Sequence, residues 1–164
     1  FTIGNLLAII TGLANPDQTE KILHLYETNW ADVVGEMPLK IVFPALTGRD
    51  WEVVTGHDPK NRPWSYHNGA NWPVLLWLLA AAETKQGRNE LSHRALDLME
   101  AGIQADDWPE YYDGKRGRFV GKQSFRFQTW SISGYIISKT ILETPDCLEW
   151  IGFPDMDETE GGSN

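Results

Sequence analysis

The sequence contains a single cysteine, Cys147, and few basic residues. It has 14 lysines and arginines against 23 aspartates and glutamates, which gives a formal net charge of −9. One thiol cannot build a disulfide framework or a Cys/His metal site, so a reducing compartment such as the cytoplasm is the default expectation. Nucleic acid and anionic membranes are poor partners, because neutralising their phosphates requires clustered cations. A neutral polar substrate fits this charge balance better.

The sequence also lacks long apolar runs and the common signatures of metal, phosphate and nucleophile chemistry. Its longest apolar stretch, residues 72–82, is shorter than the ~18 residues of a membrane span. The run Gly114-Lys115-Arg116-Gly117 is a turn, because it lacks the helix that follows a phosphate-binding loop. We therefore expect neither a metal nor a cofactor.

Aromatic residues, in contrast, are abundant, with eight Trp, five Tyr and six Phe. The richest segment is Asp106-Asp107-Trp108-Pro109-Glu110-Tyr111-Tyr112-Asp113-Gly114, which Pro109 and Gly114 keep out of a helix. Carboxylates beside flat apolar rings suit a sugar site, because the rings pack on C–H faces while the carboxylates bind hydroxyls or act on the glycosidic bond. A surface turn with buried anchoring aromatics is the alternative interpretation.

Apolar residues recur at helical spacing along the chain, and no run shows convincing strand alternation. The spacing predicts five main helices, at residues 3–13, 16–37, 73–87, 89–105 and 129–143. Between them we expect a buried connector at 39–49, one helical turn at 50–54, a long functional loop at 55–71 and a short turn at 144–146. The predicted fold class is therefore all-α.

Helices that are apolar almost all round alternate with helices that carry one apolar face. Residues 73–87 are of the first kind, which predicts burial on most sides, and residues 89–105 are of the second. Inner and outer rings of an (α/α)6 toroid require such alternation. Twelve helices of about 14 residues with loops of about five need roughly 230 residues or more, so we expect about half of a toroid or less. The start at Phe1, within a helical run, is typical of a segment of a larger protein.

Glu110 is the first candidate for chemistry. It follows Trp108-Pro109 and precedes Tyr111, so its carboxyl group is expected to be partly desolvated and its proton affinity tunable. In sugar hydrolysis such a group serves as base, acid or nucleophile. A helix cap or an ion pair is the structural alternative, and Asp113 is interpreted as a turn former.

Two further segments offer groups that bind a polyhydroxylated ligand. Residues 66–73 place an imidazole and two amides in the loop before a buried helix, whose first backbone N–H groups point outward. Residues 122–131 place cations, amides and rings beside the start of the last helix. The structural alternatives are capping by Asn71, a bond from His67 to a backbone carbonyl, and core packing of Phe127 and Trp130.

These segments together resemble the alkaline/neutral invertase family of plants and cyanobacteria. Several strings of rare residues recur in order, and the resemblance covers nearly the whole chain up to about Asp155. The matching strings are Asp58-Pro59-Lys60-Asn61, Pro63-Trp64-Ser65-Tyr66-His67-Asn68-Gly69, Trp72-Pro73, Leu75-Leu76-Trp77, Trp108-Pro109-Glu110-Tyr111-Tyr112-Asp113, Gly117-Arg118-Phe119, Gly121-Lys122-Gln123 and Phe127-Gln128-Thr129-Trp130-Ser131.

The resemblance implies an (α/α)6 barrel that hydrolyses sucrose to glucose and fructose with inversion, without metal or cofactor. Inverting enzymes place an acid and a base roughly 6.5–9.5 Å apart, with a water between them. Glu110 matches the family's base. The acid is an aspartate of the N-terminal half that no position here matches, so residues 1–154 resemble the C-terminal portion of the catalytic domain. By itself this portion is expected to be inactive. Residues 155–164 are expected to form an acidic, disordered tail.

The implied partners are sucrose and the N-terminal half of the same barrel, while homo-oligomerisation is left open. The residues expected to hold the sugar are His67, Asn68, Trp72, Tyr111, Lys122, Arg126, Gln128 and Trp130.

Two positions depart from the family pattern. Gly69-Ala70-Asn71 replaces the usual Gly-Gly-Ser before Trp-Pro, and Phe125 stands where the family has an arginine, with the cation one residue later at Arg126. A non-catalytic sugar-binding or assembly domain, or another (α/α)-barrel glycosidase or epimerase, are the competing interpretations.

Overall fold

The computed structural model describes residues 1–151, and the predicted tail at 155–164 lies outside the described residues. Within this range the chain is mainly helical, which confirms the predicted class, whereas the toroidal arrangement stays a prediction. Its helices are α1 (Thr2–Ile10), α2 (Pro16–Thr28), α3 (Trp30–Val33), α4 (Asp50–Thr55), α5 (Leu76–Lys85), α6 (Glu90–Glu100) and α7 (Thr129–Glu143), with 3-10 turns at Pro73–Leu75 and Pro145–Trp150. None of these described helices is long and apolar enough to cross a bilayer.

The second predicted helix begins as expected but ends earlier. The Asn15 side chain accepts a hydrogen bond from the Gln18 amide at 2.9 Å, and the Gln18 side chain accepts one from the Asn15 amide at 3.0 Å. This reciprocal cap starts α2 at Pro16. The helix breaks at Asn29, and α3 ends before Gly35, whose φ of +74° reverses the chain. Tertiary contacts override the apolar stripe that predicted a helix as far as residue 37.

Helix α5 lies at the centre of the described fold and packs against α1, α6 and α7. Its side chains are buried on nearly all sides, as predicted, among them Leu76, Leu79 and Ala82. Helix α7 crosses the turn before α5 at Gly134, where a Cβ atom would lie 2.7 Å from the Val74 Cα. A glycine is therefore needed for this close approach.

Helix α6 is shorter than predicted and receives its cap from a neighbouring helix. Its own Asn89 makes no side-chain cap. Instead the buried Glu83 of α5 accepts hydrogen bonds from the Ser92 amide at 2.6 Å and the Leu91 amide at 3.3 Å. A carboxylate at these N–H groups also complements the positive end of the helix dipole.

The connector after α3 is buried only in part, because residues 39–42 are largely enclosed whereas Phe43, Pro44 and residues 47–49 are exposed. Its buried part pairs with the segment that leads into α5. Leu39 and Trp72 exchange backbone hydrogen bonds of 3.3 and 2.7 Å. The Lys40 side chain is fully buried and donates to the Gly69 carbonyl at 3.0 Å and to Asn71 Oδ1 at 2.7 Å. Sequence patterning did not indicate a buried lysine here.

The interpretation of Asn71 as a helix cap is wrong. The turn that precedes α5 has Trp72 at its cap position and no side-chain cap. The Asn71 amide instead donates to the Val34 carbonyl at 2.8 Å and the Met37 carbonyl at 2.6 Å. Asn71 thus joins the end of α3 and the residues after it to the α5 entrance, and local spacing cannot reveal such distant partners.

Residues 106–114, which we call the acidic-aromatic segment, provide one strand of a short hairpin that the sequence did not predict. Strands β1 (Tyr112–Asp113) and β2 (Phe119–Val120) are antiparallel, with Tyr112 opposite Val120. Asp113 therefore lies in a strand, not in a turn. Two-residue strands are too short to show alternation, which explains why the sequence did not indicate them.

Candidate active site

Rings from the three candidate segments meet at Trp72. The centroid of its indole lies 5.4 Å from Tyr66, 5.4 Å from His67, 5.3 Å from Tyr111 and 5.5 Å from Trp130. We call these five residues the aromatic cluster. Such separations are those of favourable stacked and edge-on ring pairs, so the cluster holds three distant loops together.

Backbone hydrogen bonds connect the same three segments. Asn71 and Tyr112 exchange amide-to-carbonyl bonds of 2.9 and 2.8 Å, which joins the entrance of α5 to the acidic-aromatic segment. The Gln128 amide donates to the Trp108 carbonyl at 2.9 Å, which joins that segment to the start of α7. The candidate residues are therefore placed by backbone pairing as well as by ring contacts.

Glu110 is buried at the edge of this cluster, with only 6% of its surface exposed. Its amide donates to the Phe125 carbonyl at 2.8 Å and to Ser124 Oγ at 2.9 Å. Among the described residues its Oε2 atom is buried and has no hydrogen-bond partner. A buried acceptor without a partner is unfavourable unless water or a ligand supplies a donor, so the position favours a bound hydroxyl or water.

Ser124 is a residue of the site that sequence reasoning missed. Its hydroxyl oxygen accepts from the Glu110 amide at 2.9 Å and from the Tyr111 amide at 3.3 Å. These bonds fix the backbone on which the Glu110 carboxylate is carried. A lone serine in a polar loop carries no sequence signal for such a role.

His67 is half-buried and stacks on Tyr66 at 3.9 Å between centroids. Burial lowers the pKa of His67, and Lys60 lowers it further, while Asp58 and Glu110 act in the opposite direction. The ring is consequently neutral at neutral pH and able both to donate and to accept a hydrogen bond.

Asn68 is fully buried and its amide is engaged with backbone. Its Oδ1 atom accepts from the Leu46 amide at 2.8 Å, and its Nδ2 atom donates to the Leu46 carbonyl at 3.0 Å. A sugar contact through this side chain would have to replace those bonds. In the structure Asn68 holds the 39–49 connector against the site loop.

The other proposed sugar-holding residues differ in exposure. Trp72 and Tyr111 are buried, and burial raises the pKa of Tyr111. Gln128 is half-buried, while Lys122 and Arg126 are exposed, the latter paired with Asp107 Oδ2 at 2.6 Å. The proposed sugar-holding residues thus include two buried rings, one half-buried amide and two exposed cations.

Trp130 and Phe127 are not core residues. They are 43% and 66% exposed, so the alternative interpretation of these two rings as core packing is wrong. Both rings lie at or just before the start of α7 and are accessible to solvent.

Several site residues adopt a left-handed backbone conformation that non-glycine residues rarely use. Within residues 1–151 the non-glycine φ angles that are positive range from 44° to 67°. They belong to Trp64, Tyr66, Asp107, Trp108, Gln123 and Phe127. Strained backbone concentrates at functional sites, where surrounding hydrogen bonds maintain it, and all six residues lie in the candidate segments or next to them.

A family model described as alkaline and neutral invertase matches residues 1–145. The chain belongs to this invertase family. The resemblance seen in its motifs is thereby confirmed.

Among curated relatives, probable alkaline/neutral invertase D of Arabidopsis thaliana is 53% identical over 160 residues, which are 98% of this chain and 30% of that protein. Cytosolic invertase 1 of Oryza sativa subsp. japonica is 54% identical over 155 residues, 94% of this chain and 28% of the relative. Alkaline/neutral invertase E, chloroplastic, of Arabidopsis thaliana is 51% identical over 151 residues, 92% of this chain and 24% of the relative. The chain spans about three tenths or less of the length of these relatives.

The two departures from the invertase pattern have structural consequences. Asn71 reaches the Val34 and Met37 carbonyls with a longer side chain than the serine usual at this position. Phe125 is exposed and contributes its carbonyl to the Glu110 amide, while the cation at Arg126 pairs with Asp107. This arginine therefore joins the start of the 106–114 segment to the loop before α7.

Metal ligation has no evident site in the described part of this chain. Across residues 1–151, His, Cys, Asp and Glu side chains do not gather in groups of three or more that could hold an ion. Cys147 is buried near the end of this range.

Proposed function

We propose that this chain is the C-terminal portion of an enzyme that hydrolyses sucrose to glucose and fructose with inversion, and that Glu110 is its general base. The observation that carries the proposal is the buried Oε2 atom of Glu110, which has no partner among the described residues. A carboxylate oxygen in that state accepts a proton from water as the water attacks the anomeric carbon.

The surrounding residues support the same chemistry. Ser124 Oγ fixes the Glu110 backbone, and the His67 ring stacks on Trp72 within the aromatic cluster. Trp130, Gln128, Arg126 and Lys122 offer an exposed ring, an amide and two cations around the buried part of the aromatic cluster. We propose that they hold the sugar while Trp72 and Tyr111 keep the niche dry.

The general acid belongs to a part of the barrel that this chain does not span. An inverting pair requires a second carboxyl roughly 6.5–9.5 Å from Glu110, on the other side of the glycosidic bond. We propose that an aspartate of the N-terminal half supplies it, and that the 164 residues alone do not turn over sucrose. The relatives are named both cytosolic and chloroplastic. We propose the cytosol here, because one buried thiol requires no oxidising compartment.

Replacing Glu110 in the full-length protein tests this function. Glu110→Gln keeps the shape of the side chain but removes its basicity, so sucrose turnover is expected to fall by about 10³-fold. Glu100→Gln is the matched control, because Glu100 is an exposed glutamate bound to Tyr135 and Lys139. Circular dichroism would verify that both variants fold. Near-normal turnover by Glu110→Gln would show that Glu110 is not the general base. Sucrose binding without hydrolysis by the unmodified full-length protein would favour a non-catalytic sugar-binding domain.

A further inference from the structure

A cleft of about 450 Å³ lies between the loop at residues 59–65 and the hairpin region at 113–123. Four cationic side chains line it although the chain as a whole carries a net charge of −9. They are Lys60, Arg62, Lys115 and Lys122. Lys115 and Lys122 are close in sequence, whereas Lys60 and Arg62 come from a distant loop and join them only in the folded chain.

These four cations have no carboxylate within ion-pairing distance among residues 1–151. Other basic residues of the chain are neutralised, since Arg118 lies 3.6 Å from Glu36 and Arg126 lies 2.6 Å from Asp107. A concave surface lined by unpaired cations concentrates positive potential and attracts a compact anion.

Trp64 supplies a ring to the same cleft. Its φ of +67° is unfavourable for a bulky residue. Two backbone bonds maintain it, because the Trp64 amide donates to the Asn68 carbonyl at 2.8 Å and the Gly114 amide donates to the Trp64 carbonyl at 2.9 Å. The Lys115 ammonium lies 5.8 Å from the ring centroid. A flat apolar face is thus held beside a cation.

Asp113 adds a hydrogen-bond acceptor to the cleft lining. Its Oδ2 atom accepts from the Lys122 amide at 2.8 Å, whereas its Oδ1 atom is buried and without a partner among the described residues. A ligand hydroxyl would satisfy that atom. Cations, a ring and a free acceptor together match a ligand that has an anionic group and a polyhydroxylated body.

We propose that this cleft binds a phosphorylated hexose. Its phosphate lies against the unpaired cations, its C–H face against Trp64, and one hydroxyl donates to Asp113 Oδ1. A neutral sugar would leave the positive charge uncompensated, and a long polyanion such as nucleic acid would be repelled by the net charge of −9 on the chain. Glu110 does not line this cleft, but Lys122 is shared with the residues proposed to hold sucrose, so binding here is measured directly and not through hydrolysis.

The cleft is nevertheless coupled to the aromatic cluster by one contact. The Lys60 ammonium lies 3.7 Å from the centroid of Tyr66, whose ring stacks on His67. Attraction of Lys60 towards a phosphate weakens this cation–π contact and changes the surroundings of the His67 ring.

Calorimetric titration of the full-length protein tests the proposal. The probes are glucose 6-phosphate, fructose 6-phosphate, inorganic phosphate and glucose. At least one hexose phosphate is expected to bind about tenfold or more tightly than either glucose or inorganic phosphate, and to weaken as salt rises. Equal affinity for glucose would overturn the phosphate contact, and equal affinity for inorganic phosphate would overturn the sugar contact.

Variants locate the binding. Arg62→Gln and Lys115→Gln are each expected to weaken hexose phosphate binding by about tenfold, while Lys115→Arg retains it. Lys21→Gln is the control, because Lys21 is an exposed lysine on α2 paired with Asp17. Unchanged affinity in both glutamine variants would overturn the assignment to this cleft. These experiments measure hexose phosphate binding and not sucrose turnover, so failure of this proposal can be distinguished from failure of the proposed role of Glu110.

Discussion

The indole of Trp72 and the phenol ring of Tyr111 stack 5.3 Å apart with 21° between their planes. Trp72 caps the turn that leads into α5, and Tyr111 directly follows Glu110 in the sequence. This one contact therefore connects the central helix of the fold to the residue proposed to activate water.

Removal of the Trp72 ring is expected to lower stability strongly. Trp72 is 3% exposed, and its Nε1–H donates to the Tyr66 carbonyl at 3.1 Å. Trp72→Ala should reduce the free energy of unfolding by about 3–5 kcal/mol, because it creates a cavity and removes one of the two hydrogen bonds to that carbonyl, which the Ala70 amide also donates to. Urea denaturation measures the change. Trp150→Ala is the control, since Trp150 is 84% exposed, and an equal loss there would contradict the argument.

Azide should rescue a variant that lacks Glu110, the proposed general base. Glu110→Ala in the full-length protein opens space beside the glycosidic bond, and azide attacks without needing a base. We expect azide to restore cleavage of sucrose and to yield a glycosyl azide of inverted configuration, identified by NMR. Glu100→Ala should show no azide effect. A product of retained configuration would indicate that Glu110 acts as something other than the base of an inverting reaction.

The buried Lys40 should make stability rise with pH. Burial lowers the pKa of Lys40 to about 8, against the opposing effect of Asp32. The unfolded chain therefore binds more protons than the folded chain between about pH 8 and pH 10, and stability increases across that window and is lost as pH falls through the folded pKa. The expected gain in unfolding free energy is at most about 3 kcal/mol, measured by urea denaturation at a series of pH values.

Lys40→Met should remove most of that pH dependence, although it also leaves the Gly69 carbonyl and Asn71 Oδ1 without a donor. Lys21→Met, on the exposed face of α2, should keep the slope of the unmodified protein. The window ends near pH 10 because burial raises the pKa of Tyr26 to about 12. Ionisation of unfolded tyrosine then lowers stability. An identical slope with and without Lys40 would show that other groups cause it.

Two glycine-to-alanine substitutions should have opposite effects. A Cβ atom at Gly134 would lie 2.7 Å from the Val74 Cα, so Gly134→Ala should push α7 away from the turn before α5 and destabilise by about 1–3 kcal/mol. Gly4 in α1 has open space around it, so Gly4→Ala should stabilise by about 0.5–1 kcal/mol. Thermal or urea unfolding of both variants checks the sign, and destabilisation by both would contradict the packing at Gly134.

Elements that depend on neighbours in sequence were predictable. The Asn15-Pro16 start of α2 needs only residues within one turn, and the burial of α5 follows from its own apolar surface. Burial of Glu110 was likewise indicated by the rings on either side of it. The chain reversal after α3 was not, because Gly35 adapts to the distant Arg116 carbonyl, which leaves no room for a Cβ atom.

Site features that need partners from several loops were not predictable. Ser124 supports Glu110 across a loop, and Asn71 bonds carbonyls before the connector. The basic cleft arises because Lys60 and Arg62 approach the hairpin region. Each of these side chains has an ordinary local context.

The sequence by itself determined the family, the helical class and the carboxylate to examine, because short strings of rings, prolines and acids specify local conformation and are distinctive. Only the tertiary structure decided which side chains face a cleft, which form hydrogen bonds with backbone groups and which cations have no carboxylate partner. Those outcomes depend on the packing of segments far apart in the chain, where a hydrogen bond or a charge acts through distance in space and not through spacing in sequence.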